Sequence, residues 1–190
     1  MADLTRYSIT GYSVLELNNV AFRRDGRIEA QLPLDSTDFA TVDAEAGMLL
    51  KVTPGVSINL PADNTEEMVA LHYTAEKLYN QFANGLNNWS LSEESGFLPR
   101  LGYLSEGDKF TTNCISYMKG DRGFAANDAA AKVLLDAAQN TPVYGVPCAN
   151  GSIEVVAADP RATSKVVLQV VKTTTMPNGD FGVQFICIQA

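Results

Sequence analysis

At 190 residues, with 46% apolar and 19% charged side chains, the chain has the balance of a globular protein with a substantial core, not of a disordered or membrane-embedded one. Its 22 acidic against 14 basic residues give a net charge of −8, which disfavours a phosphate backbone as direct partner, because counterion release needs clustered Lys and Arg. A run of about 18 apolar residues, the minimum for a spanning helix, is absent.

Met1–Arg6 has no basic stretch followed by an apolar one and does not read as a secretory signal. From Tyr12 to Leu34 the sequence predicts a first hairpin: Val14, Leu15, Leu17, Val20 and Phe22 lead to Arg24-Asp25-Gly26-Arg27, after which Ile28, Ala30 and Leu32 alternate with Glu29 and Gln31. Asp35, Asp38, Asp43 and Glu45, set among Ser, Thr and Ala, read as a solvated loop. Short strands at 48–52 and 56–60 flank the Pro54-Gly55 turn. Met68 to Tyr73 is read as a further strand, and 84–95, rich in Asn, Ser and Gly, as a connecting loop anchored by Trp89.

The segment Phe97–Tyr117 predicts strand, turn and strand about Glu106-Gly107-Asp108. One helix is expected near residues 127–140, with Asn127 or Asp128 as cap, an Ala-rich body and Asn140-Thr141-Pro142 as its end. A third hairpin turns at Asn150-Gly151. The last, Lys165–Ala190, turns around Asn178-Gly179, with a loop expected to exceed two residues. Both of its arms carry apolar residues on both faces, which predicts cover on both faces. The expectation is a single mainly-β domain over 1–190, a sandwich or barrel built from hairpins with strands of five to ten residues and one helix.

His72 is the only histidine, so multi-histidine metal sites are ruled out and one candidate base remains; it lies in a half-buried strand with no carboxylate at an orienting spacing and is therefore read as a structural or surface residue. Cys114, Cys148 and Cys187 form no Cys-x-x-Cys pair and read as buried free thiols instead of a disulfide framework or zinc site. The acidic loop lacks the ligand order of an EF-hand, and no nucleophile elbow, dinucleotide fingerprint or phosphate loop occurs. The sequence therefore assigns no catalytic, metal or cofactor-binding residue, and the expected protein is not an enzyme.

Arg23, Arg24 and Arg27 cluster at the first hairpin tip of an otherwise acidic chain. They are read either as a solvated, self-paired turn or as a partner contact that binds carboxylates of a neighbouring subunit bidentately. Trp89, with Tyr79 and Phe82, would be the stacking residues of a carbohydrate- or receptor-binding β module; core or anchor duty is the alternative for these rings.

The segments Val20–Ala30, Leu71–Lys77 and Arg100–Asn113 together resemble small acidic structural proteins encoded beside tailed-phage capsid genes. That resemblance implies a head decoration or cement protein that binds the major capsid protein or another virion protein. A tail or other virion component is its nearest variant. It further implies a homo-oligomer or a monomer, no cofactor, and residence in the virion after assembly in the host cytoplasm.

Overall fold

The structure, a computed structural model, describes residues 4–6, 13–16, 21, 29–74, 90–118, 128–176, 179 and 181–190. In chain order the strands are β1 (Leu4–Arg6), β2 (Ala44–Glu45), β3 (Leu49–Thr53), β4 (Ser57–Asn59), β5 (Val69–His72), β6 (Ser90–Leu91), β7 (Leu101–Tyr103), β8 (Lys109–Thr112) and β9 (Ile115–Met118). Helix α1 (Asp128–Ala137) precedes β10 (Tyr144–Pro147), β11 (Ile153–Val156), β12 (Val167–Thr175) and β13 (Phe181–Gln189). The fold is mainly β, as expected, but only β12 and β13 reach nine residues, and the other strands have two to five.

Seven strands form one sheet in the order β1-β9-β11-β10-β12-β13-β8, four form a second in the order β4-β3-β5-β7, and β2 pairs with β6 alone. The larger sheet cannot be flat. β8 and β9 are joined only by Asn113 and Cys114, so Thr112 and Ile115 are at most about 11 Å apart along three trans peptide steps. Yet their strands are five spacings apart in the sheet, roughly 24 Å if it were planar. The sheet therefore curls until its two ends meet at this bend, and the architecture is a sandwich with a barrel-like larger sheet.

Three predicted turns are present. Val56 N–H donates to the Thr53 carbonyl at 3.0 Å across Pro54-Gly55, and β3 pairs antiparallel with β4. Cys148 pairs with Ser152 around Ala149-Asn150-Gly151, where Gly151 has φ +79°; this is a tight turn closed by a left-handed residue. Gly151 is also a docking point. Its carbonyl accepts Leu49 N–H at 2.7 Å, and a Cβ there would stand 3.1 Å from Leu50 Cδ2, so the tip of the β10–β11 hairpin packs into the smaller sheet. The terminal hairpin closes with Gly179 N–H donating to the Met176 carbonyl at 2.8 Å, and its loop is longer than two residues, with Thr175 opposite Phe181.

The turn of the predicted first hairpin, Arg24-Asp25-Gly26-Arg27, lies outside the described residues. The described residues of that hairpin bridge to distant segments: Leu15 to Thr112, Ala21 to Lys109 and Ala30 to Leu101. The expected strand, turn and strand about Glu106-Gly107-Asp108 are present as β7, a turn closed by Asp108 N–H to the Ser105 carbonyl at 3.0 Å, and β8, but the two strands do not pair with each other, because β7 belongs to the smaller sheet and β8 to the larger. The connection carries the chain from one layer to the other.

The two sheets enclose a first core of Leu49, Val69, Leu71, Phe110, Ile115, Ile153, Leu168, Val170, Val183 and Phe185, joined by Leu135 of α1. Phe110 and Phe185 meet with ring centroids 5.9 Å apart, a favourable tilted contact. Side chains alternate along a strand, so Leu50, Val52 and Ala70 face the opposite way into a second core with Ile58, Leu101, Leu34, Phe39 and Met48. The smaller sheet is thus covered on both faces. The terminal hairpin is covered on its second face only in part: Leu168, Val170, Val183, Phe185 and Cys187 are buried, and so is Val167, whereas Val171 is 40% exposed and Ile186 and Ile188 are half-buried. A register shift between Val170 and Lys172 turns Val171 outward.

Candidate functional site

The only imidazole of the chain is sealed inside the fold. His72 ends β5 with no exposed surface, its Nδ1 lies 2.8 Å from the Glu45 carbonyl oxygen and its Nε2 2.8 Å from Thr74 Oγ1. A carbonyl can only accept, so Nδ1 carries the proton and Nε2 accepts from the Thr74 hydroxyl. Thr74 Oγ1 in turn accepts Arg100 N–H at 2.7 Å. Both ring nitrogens are satisfied by a neutral ring, and burial pushes the His72 pKa down to about 4 against the opposing pull of the Glu45 carbonyl. At neutral pH this residue is a structural tie between β2, β5 and the approach to β7, and it is fully buried where the sequence suggested a half-buried strand.

The seam continues on the other side of Glu45. Its carboxylate, 5% exposed, accepts Ser13 N–H at 2.6 Å and Ser13 Oγ–H at 2.8 Å. Val14 N–H donates to Asn113 Oδ1 at 2.6 Å, and Thr112 Oγ1–H donates to the Val14 carbonyl at 2.7 Å. Residues 13–16 are thereby held against both the β2 turn and the bend that closes the large sheet. Gly47 sits at the same place with φ +92°. Its N–H donates to the His72 carbonyl at 2.8 Å, and a Cβ there would lie 2.3 Å from Thr112 Oγ1, so only glycine fits.

Glu45 therefore leaves the predicted solvated acidic loop, because its carboxylate is a buried acceptor. Asp35 and Asp38 are also used structurally: Asp35 accepts Asp38 and Thr37 N–H, which holds its carboxyl below the usual range, and Asp38 accepts from Asn59 and Leu60. All three cysteines are buried, and none is in a disulfide. Burial, with the Glu154 charge adding to it, raises the Cys148 thiol, and burial raises Cys187 to about 11. Both are protonated at neutral pH and poorly nucleophilic. Among the described residues no three His, Cys, Asp or Glu side chains converge as a metal site requires, and no helix is long and apolar enough to cross a membrane.

The partner-contact candidates Arg23, Arg24 and Arg27, and the stacking candidates Trp89, Tyr79 and Phe82, lie outside the described residues. What the sequence reading missed is the Ser13–Glu45–His72–Thr74 seam. Its members are separated by 32, 27 and 2 positions, so only the last pair carries a local signal, a hydroxyl two residues beyond the histidine on one face of a strand.

On the surface, an open groove of about 440 Å³ runs between the sheets, floored by Val69, Tyr103, Leu104 and Val166 and overlooked by Met68. Met68 is 47% exposed and holds φ +58°, the one non-glycine residue with positive φ among those described. Two ion pairs flank it, Lys51–Glu66 at 2.8 Å and Lys165–Glu67 at 3.2 Å. No protein-family model matches the chain, and neither the curated proteins nor the solved structures yield a match.

Proposed function

We propose that this chain is a non-catalytic virion structural protein, a decoration or cement protein that stabilises a phage head by binding the major capsid protein. The specific assignment rests on the resemblance of Val20–Ala30, Leu71–Lys77 and Arg100–Asn113 to acidic proteins encoded beside capsid genes. The observation that carries its non-catalytic part is the sealing of His72: the sole neutral-pH base has no exposed surface and both ring nitrogens committed. Raised thiol pKa values at Cys148 and Cys187 point the same way.

A cement protein works by mass action. Binding the assembled lattice in preference to its dissociated subunits stabilises the lattice, and a stable contact needs on the order of 1,200–2,000 Å² of buried surface. A net charge of −8 keeps the free protein soluble and draws it toward basic lattice surfaces. The test is mass spectrometry of purified heads and tails from the particles of a producing strain. Many copies in the head fraction support the reading. Copies confined to tails redirect it to a tail component, and absence from both overturns it.

A further inference from the structure

We propose that the His72 seam is an acid-sensitive latch, which on mild acidification releases the Ala44–Gly47 turn and residues 13–16 while the two large sheets stay paired. This inference is independent of the virion reading. Its basis is the uneven way the imidazole is enclosed. One side is the β5 backbone, held between β3 and β7. The other is the Ala44–Gly47 turn, whose strand β2 is two residues long and, among the described residues, pairs with just the two residues of β6.

A charged ring turns Nε2 into a donor where it now accepts; Thr74 Oγ1, which already takes the Arg100 N–H, can receive it on its second lone pair only by turning its own O–H away from the ring, and that buried O–H then needs a new acceptor. Water can supply that acceptor only if the enclosure opens. Opening on the turn side breaks the β2–β6 pairing, the His72 contact with the Glu45 carbonyl, Gly47 N–H to the His72 carbonyl and the two Ser13–Glu45 bonds. Opening on the β5 side would dismantle the smaller sheet and both cores. The turn is the weaker wall.

Other ionisable groups stand on the surrounding elements: Glu45 on β2, Glu16 in the 13–16 segment, Lys51 on β3, Arg100 before β7 and Cys114 at the β8–β9 bend. Of these, Glu45 acts on His72 through its carbonyl, and burial supplies the larger effect. Protonation thus favours the open form in the interval between the free and the sealed imidazole, from about pH 6.5 down to about pH 4.

Amide hydrogen exchange read by NMR tests the latch. Gly47, whose N–H donates to the His72 carbonyl, is expected to lose protection by up to about 300-fold between pH 7 and 4 after correction for intrinsic exchange. Val170, whose N–H donates to the Val143 carbonyl in the large sheet, is expected to keep its protection. In His72→Asn, which retains a donor near the Nδ1 position, the loss at Gly47 should flatten. The wild-type ring supplies a second measurement, since a single histidine assigns itself: its nitrogens should report a neutral Nδ1–H tautomer in the closed form. Equal loss of protection at Gly47 and Val170, or a ring that titrates near 6.5 with Gly47 protection unchanged, would overturn the proposal.

Discussion

The smaller sheet and the terminal hairpin carry similar apolar runs, and the fold treats them differently. In β3 and β5, neighbouring residues such as Leu49 and Leu50, or Ala70 and Leu71, enter different cores, so both faces are dry. In β12 and β13 one face enters the first core, while Val171, Ile186 and Ile188 on the other meet solvent in part. An apolar run therefore reports what a strand can bury, and the place of that strand in the stack of layers decides what it does bury. Partly exposed aliphatic side chains are ordinary on folded surfaces.

Several substitutions sharpen this contrast. The largest loss is expected for Phe185→Ala, on the inner face of the hairpin and against Phe110: about 3–5 kcal/mol by urea unfolding. Leu50→Ala and Leu71→Ala remove fully buried side chains from opposite faces of the smaller sheet, and each should cost about 2–5 kcal/mol. If one of that pair costs under about 1 kcal/mol, the double cover is wrong.

Next comes pH. The folded pKa of His72, about 4, lies below its unfolded value of 6.5, so the unfolded chain binds the extra proton between them. The stability attached to the neutral ring is complete above pH 6.5, falls as pH drops toward 4 and is flat below. Its full size is on the order of 3 kcal/mol, and prior opening of the seam would truncate it. Urea titrations of wild type and His72→Asn from pH 7.5 to 4 measure the difference. The smallest effect is expected at Val171→Thr on the outer face, within about 0.5 kcal/mol; a loss of 2 kcal/mol there would mean that this face is covered after all.

Legibility followed sequence distance. Pro54-Gly55, Asn150-Gly151 and the turn near Gly179 were readable because turn geometry is written in two or three adjacent residues. The helix was readable from its Ala-rich body, and it spans Asp128–Ala137 within the expected 127–140. Partners of the 13–34 segment were not, because Leu15 and Ala30 find Thr112 and Leu101 some 70 to 100 positions away. Nor did anything local announce that the Phe110–Tyr117 run breaks at Asn113, where the side chain accepts Val14 N–H. The histidine was visible as a lone base; its sealing depends on a turn 27 residues earlier. Buried Glu45 looked like its exposed acidic neighbours for the same reason.

The bend between β8 and β9 sets an order of events during synthesis. β8 leaves the ribosome well before β13, its partner in the sheet, since Thr112 and Val183 are about 70 positions apart. At typical elongation rates of about 5–20 residues per second, that edge waits roughly 4–14 seconds for its neighbour. Residues 13–16, made earlier and bonded to the same strand through Glu16 and Thr111, are already available in that interval and can shield it on the opposite side. The large sheet therefore cannot close on β8 until β13 has been made, and the early segment can leave β8 with one unpaired edge instead of two in the meantime.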